Sequence, residues 1–258
     1  MTDQPLAIST DDAGVRWLRL NRPDSRNAID LALQAALGDA LVEAARDEEV
    51  RAIVVTGTDP AFSAGGDLSR FTGDDRHVAF RLASHELTTM ISLVERVEKP
   101  VVAAINGVAT GAGTQLALAC DVRIASEEAR FVSREGHIGL LPSHGGIARL
   151  VRLVGLGPAR DLVLGGFELD ACRAYAVGLV SEVVAHDQLA AAVSARLRAI
   201  LQRSPDAYAV AKRVLNVAAS TDVSTGMAVE ALGQSLLLMT AEHRERLARA
   251  RSRSEGGR

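Results

Sequence analysis

The chain has 258 residues, is 48% hydrophobic and carries a formal net charge of −3 at pH 7. A chain of this length can form one large domain, or a main domain with a smaller helical region. It can therefore form at most two packed units. Its net charge creates no overall field that would attract nucleic acid. No run approaches the roughly 20 apolar residues that span a bilayer, and no apolar segment of a secretory signal follows the polar residues 1–5. We therefore expect a cytoplasmic protein without membrane contact.

The N-terminal quarter of the sequence carries signals for strands and one helix. Residues 6–10 and 15–20 are short, partly alternating apolar segments, a pattern that predicts a β-hairpin. Asp30 is placed to cap the next helix, whose apolar residues recur every three or four positions from Leu33 to Ala44. A buried strand is predicted at residues 52–56.

The alternation of strand and helix then repeats. We predict a long helix from about residue 76 to 98, a strand at 101–105, a short helix near Gln115 and a strand at 122–125. Strands that alternate with helices in this way indicate an α/β fold.

Beyond Gly145 the sequence becomes mainly helical, with one short strand candidate at 179–184, and from Pro205 onward only helix is predicted. The sequence therefore predicts an α/β core over residues 1–200 and a helical C-terminal region over residues 201–258.

Two segments repeat one pattern of strand, small-residue loop and helix start. Small residues let backbone N–H groups approach a ligand closely, and a helix N-terminus favours developing negative charge. Either loop alone can be explained as a tight turn required for packing, but two such loops can supply two donors to one ligand. The first segment runs from Ile53 to Gly57 and into Phe62 to Leu68, and the second from Val102 to Ile105 and into Asn106 to Gly113.

Nucleotide-binding motifs fit these loops poorly. A P-loop would need Lys followed by Ser or Thr after its second glycine, and in a dinucleotide fingerprint a third glycine would stand where this chain has Leu116. Phosphate cradling is therefore disfavoured.

Several ordered segments resemble the crotonase superfamily of enoyl-CoA hydratases and isomerases, along almost the whole chain. The resemblance implies a spiral of ββα turns with a helical C-terminal trimerisation region, usually as a homotrimer or a dimer of trimers. It also implies an acyl-CoA substrate, so that coenzyme A enters as part of the substrate and no separate cofactor is expected. The matching segments are residues 21–28, 62–68, 99–113, 120–125, 131–135 and 145–155.

The resemblance assigns the two hydrogen-bond donors to the thioester oxygen to the backbone N–H groups of Gly66 and Ala112. The family usually has glycine at the second position, but alanine keeps a main-chain donor. One such donor contributes about 3 to 4 kcal/mol of transition-state stabilisation. The same resemblance places coenzyme A against Arg26, Ala28, Ala64, Asp67 and Leu68.

Arg26 has two interpretations. The resemblance makes it a partner of the coenzyme A phosphates, and the alternative is a solvated loop charge.

The family's two carboxylate positions fall on Gln115 and Glu135, so only one of them is acidic. From the residues alone, Glu135 would be a surface charge paired with Arg134. The resemblance instead makes Glu135 the acid/base that moves a proton at the α-carbon of the substrate.

Gln115 can orient a water molecule but cannot take its proton. Single-acid chemistry, such as movement of a double bond between the 3,4 and 2,3 positions, is therefore slightly favoured over hydration. Hydration stays open, because some superfamily members that hydrate aromatic enoyl-CoA substrates also lack the first acid. The alternatives are a CoA-thioester hydrolase or decarboxylase on the same scaffold, or a non-catalytic member that binds CoA or RNA.

A second departure from typical hydratases lies at Ser143 and His144, where those enzymes have small residues. Ser143 aligns with a position that lines the acyl pocket, and its hydroxyl either holds a water or substrate oxygen or caps a helix ahead of Gly145. His144 is either a second acid/base or an exposed loop histidine. The two neighbours would not face each other as nucleophile and base, and no GxSxG motif is present, so a serine hydrolase is disfavoured.

The cysteine and histidine patterns indicate no metal site. Cys120 and Cys172 stand in apolar surroundings without CxxC spacing, so both are predicted to be buried core thiols. The remaining histidines lack HExxH or paired ligand spacing. They are His77, His85, His137, His186 and His243.

The C-terminal region carries two further signals. Its apolar helices, with Leu232, Leu236, Leu237, Leu238 and Met239, are too apolar for the surface of a monomer, which indicates an oligomer. The last fifteen residues are basic but have no aromatic residue to stack on bases, so RNA binding is disfavoured. Family members often place an aromatic residue and a lysine from this helix near a neighbour's coenzyme A, whereas this chain offers arginines such as Arg249.

Overall fold

The computed structural model describes residues 4–67 and 76–255 of the chain. These divide into two compact units, residues 1–197 and residues 198–258, against a predicted boundary at residue 200. No helix among the described residues is long and apolar enough to span a bilayer.

The first unit begins with the hairpin that the alternating apolar pattern predicts. Strand β1 (Leu6–Thr10) pairs antiparallel with strand β2 (Val15–Leu20). Helix α1 (Leu31–Arg46) follows, and the predicted cap is present, because the Asp30 side chain accepts a hydrogen bond of 2.8 Å from the Leu33 N–H.

Strands and helices then alternate, as predicted, up to the end of the first unit. The bounds of these elements are β3 Ala52–Gly57, β4 Ala61–Ser63, α2 Arg76–Arg96, β5 Val101–Ile105, β6 Val108–Thr110, α3 Ala112–Ala119, β7 Val122–Ser126, β8 Arg130–Val132, α4 Gly146–Val154, α5 Leu156–Val163, β9 Leu169–Asp170, α6 Ala171–Ala176, β10 Glu182–Val184 and α7 Leu189–Ile200.

Two sheets run through the first unit. The larger has the strand order β1-β2-β3-β5-β7-β10, and beyond the antiparallel hairpin its neighbouring strands are parallel. The smaller has the order β4-β6-β8-β9, with β4, β6 and β8 parallel. From β3 to β8, each turn of chain therefore adds one strand to the large sheet and one short strand to the small sheet. A helix then follows in the turns that begin at β3 and β5, which gives the ββα spiral.

The core of the first unit lies between the large sheet and the helices that pack on it. The strands β3 and β5 are buried along their whole length, as parallel strands covered on both faces are. Phe62 and Phe131, on the small sheet, have no exposed surface. This packed framework holds the ends of β4 and β6 in fixed positions, and both functional loops begin there.

The second unit is helical, in agreement with the sequence pattern from Pro205 onward. It contains α8 (Pro205–Ala218), α9 (Val223–Leu238) and α10 (Ala241–Glu255). Gly233 of α9 lies so close to α8 that an added Cβ would come within 2.9 Å of the Val210 side chain. Several large apolar side chains of α9 are solvent-exposed, namely Met227, Leu232, Leu236 and Leu238, followed by Met239.

Some predictions of local structure were wrong or incomplete. Cys120 is buried, but Cys172 is exposed on the short helix α6, so it is not a core thiol. The strand candidate at 179–184 forms only over Glu182–Val184. The strands of the small sheet were missed, because pieces of two or three residues carry no readable alternation.

Candidate active site

The two small-residue loops meet at one place on the first unit. A methyl group added to Gly65 would come within 2.9 Å of the Thr110 carbonyl oxygen and 3.4 Å of the Ala112 nitrogen. One added to Gly111 would lie 3.6 Å from the Gly65 Cα. The predicted convergence of the loops is therefore present, and their backbones touch.

Glycine is required at these contacts for two separate reasons. Gly65 and Gly111 have φ angles of 94° and 53°, in the region that side chains disfavour. Gly113 has no room for a side chain, since a Cβ would come within 2.6 Å of the Ser63 Cβ. These three positions fix how closely the loops approach.

The approach brings two backbone N–H groups to the same cavity. Gly66 forms a parallel bridge with Ile29, in which Gly65 supplies the carbonyl and Asp67 the N–H. Gly66 is thus left with its own N–H outside the ladder. Ala112 is the first residue of α3, and the first N–H groups of a helix have no partner within it. Both groups are suited to a developing oxyanion.

Glu135 begins a short 3-10 helix, Glu135–Ile138, directly after β8. Its carboxylate accepts hydrogen bonds from the Ser133 hydroxyl at 2.9 Å and from the Gln115 Nε2–H at 3.3 Å. A methyl group on Gly111 would lie 3.8 Å from its Oε1. The carboxylate therefore lies at the contact of the two loops and is not the Arg134-paired surface charge that the residues alone indicated.

Gln115 is 3% exposed on the buried helix α3. Its amide nitrogen contacts Glu135, while its Oε1 and the neighbouring Thr114 Oγ1 are buried without a hydrogen-bond partner among the described residues. Gly146 packs directly on its side chain, since a Cβ there would come within 2.7 Å of the Gln115 Cγ. Gln115 therefore keeps an open acceptor at the position where the resemblance implies a second acid.

A cavity of about 340 Å³ opens beside these groups. Its lining is mixed, because Glu135, Gly66 and Ala112 line it together with apolar residues such as Leu87 and Leu141. Such a lining suits a small molecule with an apolar part and one polar reacting end. The lining residues are Ile29, Gln34, Ala64, Gly65, Gly66, Asp67, Ser84, Leu87, Thr110, Gly111, Ala112, Gln115, Arg134, Glu135, Ile138, Leu140, Leu141, Ser143 and His144.

Ser143 and His144 both lie on the cavity wall. The helix-cap alternative for Ser143 is wrong, because α4 is preceded by Gly145 and has no side-chain cap. The exposed-loop alternative for His144 is also wrong. Its ring is half-buried against α2, where Nδ1 lies 2.8 Å from the Thr88 hydroxyl. Burial holds the pKa of His144 below its ordinary value of 6.5, although the Ser84 carbonyl acts in the opposite sense.

The positions predicted for coenzyme A divide into three groups. Ala64 and Asp67 line the cavity. Arg26 and Ala28 lie outside its lining, although Arg26 accepts a backbone hydrogen bond of 2.8 Å from Ala64 and its own side chain is exposed. Leu68 lies outside the described residues.

Sequence reasoning missed several residues that support the site. Arg22 donates to the Ala28 carbonyl at 2.6 Å and forms ion pairs with Asp30 and Asp67. Ser133 had a signal, because it stands two residues before Glu135, close enough for its hydroxyl to reach the carboxylate. Thr88 had none, since it lies far from the loops in sequence. Among the described residues, no group of His, Cys, Asp and Glu side chains has the geometry of a metal site.

Comparison with known proteins places this arrangement in a family. The family model described as enoyl-CoA hydratase/isomerase matches residues 10–250. The chain belongs to this family. Its crotonase-type fold, predicted from the resemblance, is confirmed, and the family's enzymes act on CoA thioesters.

Named relatives and solved structures of the enoyl-CoA hydratase/isomerase family agree with that assignment. The 2,3-dehydroadipyl-CoA hydratase of Escherichia coli is 36% identical over 231 residues, which cover 90% of this chain and 89% of the relative. The crotonyl-CoA hydratase of Syntrophomonas wolfei is 34% identical and covers 88% of each chain. The crystal structure of an enoyl-CoA hydratase from Bacillus anthracis superposes with a TM-score of 0.91 at 32% identity, covering 97% of each chain.

Proposed function

We propose that the protein binds an acyl-CoA thioester and transfers a proton at its α-carbon, with Glu135 as the single acid/base and double-bond isomerisation as the favoured reaction. The observation that carries this proposal is the carboxylate of Glu135 at the contact of the two loops, where Gln115 replaces the second acid. The residues predicted for coenzyme A are Arg26, Ala28, Ala64, Asp67 and Leu68, and the reaction needs no further cofactor.

The proposed isomerisation uses one carboxylate twice. Glu135 takes a proton from the α-carbon of a 3-enoyl-CoA, and the electrons move to the thioester oxygen. The N–H groups of Gly66 and Ala112 stabilise that oxyanion, which contributes about 3 to 4 kcal/mol per donor. The carboxylic acid then returns the proton to the fourth carbon, and the double bond is left between the second and third carbons.

The hydrogen bonds of Glu135 suit this shuttle. Ser133 and Gln115 each donate to one carboxylate oxygen, which orients the group without adding a second charge. Gln115 can hold the carboxylate but cannot exchange protons with it, so Glu135 keeps the proton until the substrate takes it back. With two uncharged partners, Glu135 is the one group of these three that exchanges a proton with the substrate.

Hydration of a 2-enoyl-CoA is the second candidate. It is favoured by the names of relatives such as the crotonyl-CoA hydratase of Syntrophomonas wolfei. It needs a group that accepts the proton of the attacking water, and Gln115 cannot do so. Thioester hydrolysis and decarboxylation remain alternatives on the same oxyanion-binding loops.

The test is a panel of 2-enoyl-CoA and 3-enoyl-CoA thioesters followed by chromatography and mass spectrometry, which separate isomerisation, addition of water and cleavage. Glu135→Gln keeps the shape of the side chain and removes proton transfer, so turnover should fall by about 10²-fold or more while binding is retained. The matched control is Glu48→Gln, an exposed carboxylate of the first unit outside the cavity lining. Unchanged turnover of Glu135→Gln would refute the proposal.

A further inference from the structure

His144 is held on the cavity wall in a conformation that its own backbone disfavours. It is not glycine, yet its φ is 52°, in the left-handed region. The residue stands in the segment between the 3-10 helix Glu135–Ile138 and α4, and its side chain lines the cavity that contains Glu135. A disfavoured backbone persists only where surrounding contacts determine it.

An ion pair supplies one of those contacts. Arg149 of α4 binds both carboxylate oxygens of Glu95 on α2, at 2.8 and 2.6 Å. The same guanidinium donates to the His144 carbonyl oxygen at 2.6 Å. A two-pronged, largely buried ion pair between two helices therefore fixes the peptide that carries the histidine.

The His144 ring is fixed separately, and its hydrogen bonds define which ring nitrogen carries the proton. Thr88 Oγ1 donates its one proton to the Ser84 carbonyl at 2.7 Å, so toward the His144 ring it can only accept. Nδ1 therefore carries the proton of the neutral ring. Nε2 is left as a free acceptor, with no hydrogen-bond partner among the described residues. Burial lowers the pKa of His144, which keeps the ring neutral near pH 7.

The backbone of His144 lies near the Gln115 side chain. Gly146 packs on the Gln115 side chain, and His144 is only two residues before it. Two residues of extended chain span at most about 7 Å. His144 and Gln115 therefore line the same cavity, with their backbones close together at the position where the resemblance implies a second acid.

We propose that His144 is a second catalytic residue, whose Nε2 accepts the proton of a water molecule and gives this site a hydratase activity without an acid at position 115. This rests on the proposed function, because Gly66, Ala112 and Glu135 act in both reactions. Gln115 contributes its open Oε1 as an acceptor that orients the same water.

The hydration step balances. The water oxygen forms a bond to the third carbon of a 2-enoyl-CoA, and one water proton passes to His144 Nε2. The π electrons move to the thioester oxygen, held by Gly66 and Ala112. The enolate then takes a proton from protonated Glu135 at the α-carbon. Transfer of a proton from the imidazolium to the Glu135 carboxylate, through solvent, restores both groups.

The test compares both reactions in paired variants. His144→Asn tolerates a left-handed backbone and can still donate to Thr88, as Nδ1 does, but it removes Nε2. Hydration of a 2-enoyl-CoA should fall by about 10²-fold or more relative to isomerisation of a 3-enoyl-CoA. His85→Gln, on the exposed side of α2, is the matched control and should change neither rate. His144→Gln, which keeps an acceptor but no base, should also lose hydration selectively.

Each other outcome is decisive. Equal losses of hydration and isomerisation would show that His144 only holds the loop. Hydration unchanged in both His144 variants, or absent from the unmodified enzyme, would overturn the role of His144 while leaving the isomerase proposal standing. Failure of the proposed function gives a different result from failure of the His144 role. In that case Glu135→Gln would leave isomerisation unchanged, or the unmodified enzyme would not catalyse isomerisation.

Discussion

Gln115 donates a hydrogen bond of 3.3 Å to the Glu135 carboxylate from a helix that is completely buried. In this pair only the Glu135 carboxylate can transfer a proton, because the Gln115 amide cannot. A pair of two carboxylates would have two such groups. The carboxylate is further fixed by Ser133, and the amide is fixed by the close packing of Gly146. The chemistry of the site depends on how this asymmetric pair is completed, and the proposed partner is His144.

The loop contact can be tested at two adjacent glycines. Gly65→Ala introduces a Cβ at a φ of 94° and within 2.9 Å of the Thr110 carbonyl, so the free energy of unfolding should fall by about 1 to 3 kcal/mol. Gly66→Ala meets nothing within 4 Å, so its stability should stay within about 0.5 kcal/mol of the original. Because Gly66 lines the cavity, the methyl group added by Gly66→Ala should instead hinder substrate binding and raise KM. Chemical denaturation and steady-state kinetics measure both effects, and equal stability of the two variants would contradict the loop contact.

The convergence of the two loops was predictable from the sequence, because strand, small residues and helix start recur in both segments. Parallel neighbouring strands bring such loops together at one edge of a sheet. The family's fold followed from the resemblance, as did the proposed role of Glu135. The residues alone indicated a surface charge paired with Arg134, whereas the Glu135 carboxylate contacts Ser133 and Gln115.

The contacts that define His144 were not predictable. Thr88 is 56 residues away in sequence, and Arg149 and Glu95 are 54 residues apart. No local pattern reports which helix will pack against a loop, or that a loop histidine will lose its exposure. The prediction that Cys172 is buried was wrong for the same reason. Apolar neighbours in the sequence do not guarantee that a residue on a short helix is buried.

Thr88 should act as a positioning residue for the His144 ring. Thr88→Val removes the acceptor for the Nδ1 proton, so the ring can turn, and hydration should fall by about 3- to 30-fold. Isomerisation should stay nearly constant, because it does not use the ring. Thr88→Ser keeps the hydroxyl and should restore hydration. A loss that serine does not rescue would assign Thr88 to packing alone.

The C-terminal unit should mediate assembly. Leu232, Leu236 and Met239 are 68%, 63% and 75% exposed, an apolar surface that isolated chains rarely leave in water. We expect light scattering at micromolar concentration to give three or six times the chain mass of 27.2 kDa. The double variant Leu232→Glu with Leu236→Glu should dissociate, whereas Ile8→Glu, an exposed position on β1, should not. A single-chain mass for the unmodified protein would contradict the prediction.

His144 should also make stability depend on pH. Burial lowers its pKa in the folded state below the ordinary 6.5, so the unfolded chain binds more protons as the pH falls through that value. The contribution of neutral His144 to the free energy of unfolding is therefore fully present above about pH 7. It is lost as the pH falls below 6.5 towards the pKa of the folded state. Arg149 adds to the loss because it disfavours a charged ring, while the Ser84 carbonyl opposes it. Chemical denaturation between pH 5 and about 8 measures this effect. As the pH falls, the free energy of unfolding should decrease more steeply for the unmodified protein than for His144→Asn. Parallel curves would contradict a buried neutral histidine.

The last prediction restores the missing acid. Gln115→Glu changes the side-chain volume little, but it places a second carboxyl group where an amide now lies 3.3 Å from Glu135. Two carboxylates this close repel each other, so the pair should share one proton around neutral pH, with one group as acid and the other as base. Hydration of a 2-enoyl-CoA should then rise relative to isomerisation, and it should no longer depend on His144. The double variant Gln115→Glu with His144→Asn decides the point, because it should recover most of the hydration that His144→Asn loses. If the double variant is as slow in hydration as His144→Asn alone, the two positions do not supply the same proton acceptor, and the proposed exchange of roles between them is wrong.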